Sequence, residues 1–161
     1  MSVRKVVVGI VYRKKERPTT EGRHTPDNIT FLVLHRVLEW KGWEFPKGGV
    51  EKTDKTEESA LLRELDEEAG LKRARVIERL PYKIRYKYPI KYADKYKHSE
   101  TEQSVFIVRS FQEEITLPSF SGVGEHDDFR WLPYPEARKM LTHADQKKAL
   151  DIAQKILKAS N

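Results

Sequence analysis

The chain has 161 residues, 31 Lys and Arg against 25 Asp and Glu for a net charge of +6, and no cysteine. That length suits one domain with a real core, and the missing thiols exclude a disulfide scaffold, a cysteine nucleophile and a cysteine-based zinc site. No apolar run approaches the roughly 18 residues that cross a membrane, and Met1-Ser2-Val3-Arg4-Lys5 leads into a strand rather than a signal peptide, so a soluble cytoplasmic protein is expected.

Val3 to Tyr12 is rich in β-branched residues and predicts a first strand. Arg13 to Asn28 carries turn and charge signals and predicts an exposed loop, followed by a second strand over Ile29 to Arg36. Trp43-Glu44-Phe45 leads into the glycine turn Pro46-Lys47-Gly48-Gly49-Val50-Glu51, and a helix follows from about Thr56 to Ala69. Arg75 to Tyr88 predicts a long strand or hairpin, Gln103 to Phe111 another strand, and Phe129-Arg130-Trp131-Leu132 a short one. Pro135 to Leu141 and Gln146 to Leu157 predict closing helices. A sheet with helices on its faces is an α/β sandwich, and neither an internal repeat nor a second domain is visible.

The helix after the glycine turn carries the chemistry. Turned at about 100° per residue with Glu64 as zero, Glu57 falls near 20°, Glu68 near 40° and Glu67 near −60°. Leu61, Leu62, Leu65 and Ala69 occupy the flank between roughly 60° and 160°, which predicts that they bury. Thr56 is placed to cap the start and Gly70 to end the helix in a left-handed conformation. From Glu57 to Glu68 there are six acidic residues and one arginine in a chain whose net charge is positive. Such crowding calls for a compensating cation, and hard divalent ions prefer oxygen donors. The competing reading is a solvated acidic face with Arg63 supplying ion pairs along the helix.

The spacing Arg63-Glu64-Leu65-x-Glu67-Glu68-x-Gly70-Leu71, preceded by a glycine pair and a further acidic residue, resembles the signature box of the Nudix hydrolases. The resemblance implies a Nudix-type α/β/α sandwich with a mixed sheet, formed by residues 1–161 as a single domain. It also implies Mg2+- or Mn2+-dependent attack of water on a diphosphate that links a nucleoside or other organic group. Glu64 and Glu68 are the implied primary ligands, Glu67 the third, with the carbonyl of Gly48 or Gly49 as a backbone donor. Arg63 is implied to orient the glutamates by a forked hydrogen bond, which a lysine would do poorly. The family spacing can be counted two ways, placing either Lys55 or Asp54 at the first acidic position. Asp54 with Gly48 is preferred, because one inserted loop residue costs little.

Two further regions bear on the substrate. Tyr82 to His98 holds five of the seven tyrosines and six Lys or Arg, groups that stack on bases and neutralise phosphates. Tyr82, Lys83, Arg85, Lys87, Lys95 and Tyr96 are therefore substrate-binding candidates, together with Lys47 beside the glycine turn. Before Pro89 an equally good reading is a two-faced strand with lysines in water and tyrosines half buried. After it, a mobile substrate loop is expected. Gly122 to Leu132 resembles the place where some family members carry an extra general base or ligand, and Glu125 is the candidate, with His126 behind it; Trp131 is taken as structural.

More loosely, the Trp43 to Glu51 turn, the Phe129 to Leu132 strand and the Ala149 to Ala153 helix are similar to the dinucleoside polyphosphate hydrolases, typified by asymmetrical diadenosine tetraphosphate hydrolases. That likeness implies cleavage to ATP and AMP. The PKGGVEK turn also resembles diphosphoinositol polyphosphate phosphohydrolases, and Glu102-Gln103 before an apolar strand resembles RNA 5′-pyrophosphohydrolases, whose partner is an RNA 5′ end. A different class stays open: a catalytically silent nucleotide- or RNA-binding module, which the basic excess would suit. The retained Glu64, Glu67 and Glu68 argue against it.

Overall fold

The computed structural model describes residues 3–15, 28–88, 99–118 and 124–160. Its elements in chain order are β1 Val3–Lys14, β2 Ile29–Arg36, β3 Gly42–Glu44, β4 Lys47–Gly49, α1 Glu57–Ala69, β5 Ala74–Lys87, β6 Glu100–Ser110, β7 His126–Leu132, α2 Tyr134–Met140 and α3 Ala144–Ala159. Most of the loop expected over Arg13 to Asn28, and the segment expected after Pro89 with Lys95 and Tyr96, lie outside the described residues.

The sheet is organised by β1. Along one edge it runs parallel to β6, from Val3 opposite Glu100 to Tyr12 opposite Arg109. Its other pairings are antiparallel and divided, with β2 taking Tyr12 to Lys14 and β4 taking Val6 to Val8. β2 in turn pairs with β3 and β7, and β5 flanks β6, so the sheet is mixed. The division of β1 between β2 and β4 admits the Phe45-Pro46 connection, which is pinned by the Gly9 amide donating to the Pro46 carbonyl at 3.0 Å. Thus the segment read from sequence as a turn is two three-residue strands, too short to show an alternating pattern. β5 is one long strand rather than a hairpin, with register shifts between Val76 and Glu78 and between Arg79 and Lys83.

Alternation along β1, β2 and β6 gives each face its own core. On one side Val6, Val8, Ile10, Val33, Val105 and Ile107 pack against Ala149, Leu150 and Ala153 of α3. On the other, Val7, Val11, Leu32, Leu34 and Phe106 receive Ala60, Leu61, Leu65 and Ala69 of α1. The result is the α/β/α sandwich expected from the sequence.

α1 is punctuated at both ends. The Thr56 hydroxyl accepts from the Ser59 amide at 3.0 Å while the Ser59 hydroxyl accepts from the Thr56 amide at 3.1 Å. Gly70 stops the helix at φ 64°, a conformation that costs other residues strain. Leu62 departs from expectation: it is 39% exposed, because its direction lies just past the edge of the buried stripe. Replacing Leu65 with alanine is expected to lower the unfolding free energy by about 2–5 kcal/mol, and Leu62→Ala by about 0.5 kcal/mol or less. Urea unfolding of the two variants checks that contrast.

Candidate active site

Arg63 ties α1 to the loop before it. Its Nε and Nη2 donate to the two carboxylate oxygens of Asp54 at 3.0 and 2.8 Å, and Nη2 also donates to the Gly49 carbonyl at 3.1 Å. Nη1 donates to Glu64 at 2.9 Å and to Glu67 at 3.2 Å. The fork therefore closes on Asp54, and the glutamates receive single contacts instead of the forked one expected. This geometry also separates the two ways of counting the box: Asp54, not Lys55, faces the arginine. The fork, together with the Glu51 amide, holds the Asp54 carboxyl down at about 2.

Glu64 is buried where β4 passes under α1. A side chain on Gly48 would collide with the Glu64 carboxylate, so the absence of a Cβ at Gly48 is what lets strand and carboxylate share this space. Burial raises the Glu64 carboxyl, Arg63 opposes that rise, and Glu67 and Glu125 add to it. Glu68 goes further. Burial first, then the nearby Glu125 and Glu64 carboxylates, push it up to about 7. One donor atom each from Glu68, Glu125 and His126 lie within 4.8 Å of one another.

Of the four carboxylates predicted to share one helix side, Glu64 and Glu68 converge on Glu125. Glu67 turns its 59% exposed side chain toward Arg63, and Glu57 pairs with Arg79 at 3.3 Å. Burial disfavours the ionised Glu68 carboxyl, and the crowding of negative charge from Glu125 and Glu64 adds to that. Oxygen donors in this arrangement fit Mg2+ or Mn2+, which would relieve the crowding.

Behind the carboxylates lies a charged network that sequence inspection missed. Glu44, on β3, is fully buried. Its Oε2 is 2.8 Å from His126 Nε2 and 3.2 Å from Arg36 Nη1, while Oε1 is 3.4 Å from the Lys47 ammonium. Burial opposes ionisation, yet the His126 hydrogen bond and the Lys47 and Arg36 charges outweigh it and hold the carboxyl at about 2. Lys47, expected to meet phosphate, thus also neutralises Glu44. The partners come from β2, β4 and β7, and no local pattern announces them.

A cavity of about 760 Å³ opens beside the acidic cluster, and Lys47, Gly48 and Glu125 border both. Arg4 and Arg36 add positive charge to its wall, and Trp40, Tyr86 and Tyr88 add rings. Tyr86 and Tyr88 meet edge to face with centroids 5.5 Å apart. Here the structure corrects the sequence reading of β5. The cavity is lined by Ile84, Tyr86 and Tyr88, which share one face of the strand, whereas Lys83 and Arg85 point away from it and pair with Glu102 at 2.7 and 3.6 Å. Lys87 alternates with Tyr86 and Tyr88 and does not line the cavity. Tyr82 is drawn instead to α3, with its hydroxyl 3.4 Å from Asp145 and Lys148 over its ring. The apolar Ile84 was the available signal, since residues two and four positions on must share its face.

Known proteins agree with this architecture. The NUDIX domain family matches residues 4–151. Among curated proteins, an RNA pyrophosphohydrolase of Nitratiruptor sp. is 30% identical over 77% of this chain and 82% of its own length. One of Sulfurovum sp. is 32% identical over 76% and 78%. Among solved structures, a C. elegans Ap4A hydrolase binary complex superposes with a TM-score of 0.70 at 22% identity, covering 98% of this chain and 99% of that one. The match over residues 4–151, nearly the whole length, places the chain in the Nudix family.

Proposed function

We propose that this Nudix pyrophosphohydrolase acts on 5′-triphosphorylated RNA ends, with Mg2+ or Mn2+ held by Glu64, Glu68 and Glu125. The observation that carries the RNA reading is the pair of curated relatives of that name at 30% and 32% identity. The dinucleoside polyphosphates favoured by the sequence reading take second place. The likeness to the C. elegans Ap4A hydrolase supports the fold alone at 22% identity, although an aromatic cavity of this size also suits a dinucleotide.

In the reaction, water adds to one phosphorus and the anhydride bond to the neighbouring phosphate breaks, leaving a monophosphate end and pyrophosphate. A bound divalent ion supplies charge neutralisation on the phosphate oxygens and acidifies a water. Glu125 stands beside Glu68 at the cavity border, where it can take the proton of the attacking water. Arg63 keeps Glu64 aimed past Gly48. Arg4, Arg36 and Lys47 receive the phosphates, and Trp40, Tyr86 and Tyr88 offer faces on which the first bases stack.

Glu68→Gln is expected to reduce pyrophosphate release from 5′-triphosphate RNA by about 100-fold or more, with unfolding unchanged; full activity would refute the assignment. Because the ion must displace the proton that Glu68 retains up to about 7, the Mg2+ concentration for half-maximal rate is expected to rise below that pH. The limiting slope is about tenfold per unit, readable from Mg2+ titrations at pH 6 to 8. Tyr86→Ala is expected to raise KM by about 5- to 150-fold, the equivalent of 1–3 kcal/mol of stacking. Lys83→Ala and Arg85→Ala, outside the cavity, are expected to leave KM within about twofold at moderate salt.

A further inference from the structure

The buried Glu44 carboxylate faces His126, not the substrate cavity, and the ring it holds is the feature that carries consequence. We propose that His126 supplies a nitrogen ligand, through Nδ1, to the divalent ion held by Glu68 and Glu125, and that Glu44 is the positioning residue for that ring. The inference rests on the metal dependence proposed above and adds a donor type that the glutamate box does not contain.

The geometry is that of a histidine prepared as a ligand. The His126 side chain is 3% exposed and cannot turn to water. Its Nε2 meets a fully buried carboxylate at 2.8 Å. Because Glu44 is ionised and can only accept, Nε2 carries the hydrogen, and in the neutral ring the lone pair is left on Nδ1. Among the described residues no hydrogen bond is formed by Nδ1, which faces Glu68 Oε2 at 3.8 Å. That spacing is too long for a hydrogen bond, and the nearby Glu125 oxygen completes a three-residue set of possible ligand atoms within 4.8 Å of one another. A carboxylate behind the far nitrogen of a ligating imidazole fixes its tautomer and raises its basicity. Arg36 and Lys47 compensate the buried charge of Glu44, so the device stands without the ion as well as with it.

An imidazole donor shifts preference away from Mg2+, which favours oxygen, toward Mn2+ and later transition ions. Mn2+ is therefore the probe. Electron spin echo envelope modulation of the full chain with one equivalent of Mn2+ is expected to show nitrogen coupling. That coupling should vanish in His126→Phe and persist in His143→Gln. Direct Mn2+ and Mg2+ titrations are expected to show that His126→Phe loses about tenfold or more in affinity for Mn2+ and less for Mg2+. Glu44→Gln keeps an acceptor oxygen without its charge, and is expected to weaken Mn2+ binding about tenfold while retaining the coupling. Bound Mn2+ without nitrogen coupling in the wild-type chain overturns the inference, as does coupling that survives His126→Phe. The wild-type spectrum needs no variant, so a misfolded variant leaves the question decidable. RNA turnover without nitrogen coupling would overturn the ligand and leave the proposed function standing, while nitrogen coupling without RNA turnover would do the reverse.

Discussion

The close gathering of the Glu64, Glu68 and Glu125 carboxylates, where burial and their mutual repulsion both oppose ionisation of Glu68, is the constraint on which the site depends. Packing holds these carboxylates together against their charge. Leu61 and Leu65 seat α1 on the sheet, Gly48 lets β4 pass under Glu64, and the fork from Arg63 to Asp54 locks the preceding loop to the helix. Burial, and after it the neighbouring Glu125 and Glu64 carboxylates, push the Glu68 carboxyl up to about 7. Carboxylates held this firmly would need little reorganisation to receive a cation.

Charge is divided along the site. Negative groups gather on the α1 side, and Arg4, Arg36 and Lys47 stand at the cavity wall, with Glu125 and Gly48 at the junction. The cavity wall is thus the positive side of the site and α1 the negative side. Glu44 links the two halves: the same buried carboxylate holds Arg36 and Lys47 on the cavity side and His126 on the α1 side. The two sides therefore share one support, and a change at Glu44 should disturb both.

What could be read from the sequence was what is local. The cap at Thr56, the stop at Gly70 and the apolar stripe of α1 are set by residues within a turn or two of each other, and the box spacing pointed to the family. The central strands were legible because their β-branched runs are long. β3 and β4 were not, since three residues carry no period. Leu62 failed because a helix wheel gives direction but not the width of the groove that receives it. On β5, lysines and tyrosines alternate on a strand that has both a cavity face and a paired face, so composition pointed to the segment while parity, set by Ile84, decided which side chains reach the cavity. The Glu44 network was beyond sequence reading altogether, because its partners Arg36, Lys47 and His126 meet only when β2, β3, β4 and β7 assemble.

The most direct measurement is hydrolysis of three substrates in parallel at equal concentration with Mg2+: 5′-triphosphate RNA, diadenosine tetraphosphate and a diphosphoinositol polyphosphate. The expected result is a kcat/KM for the RNA end well above the other two, with pyrophosphate as the released product. Turnover confined to diadenosine tetraphosphate or to the inositol diphosphate, or binding of RNA without hydrolysis, would contradict it.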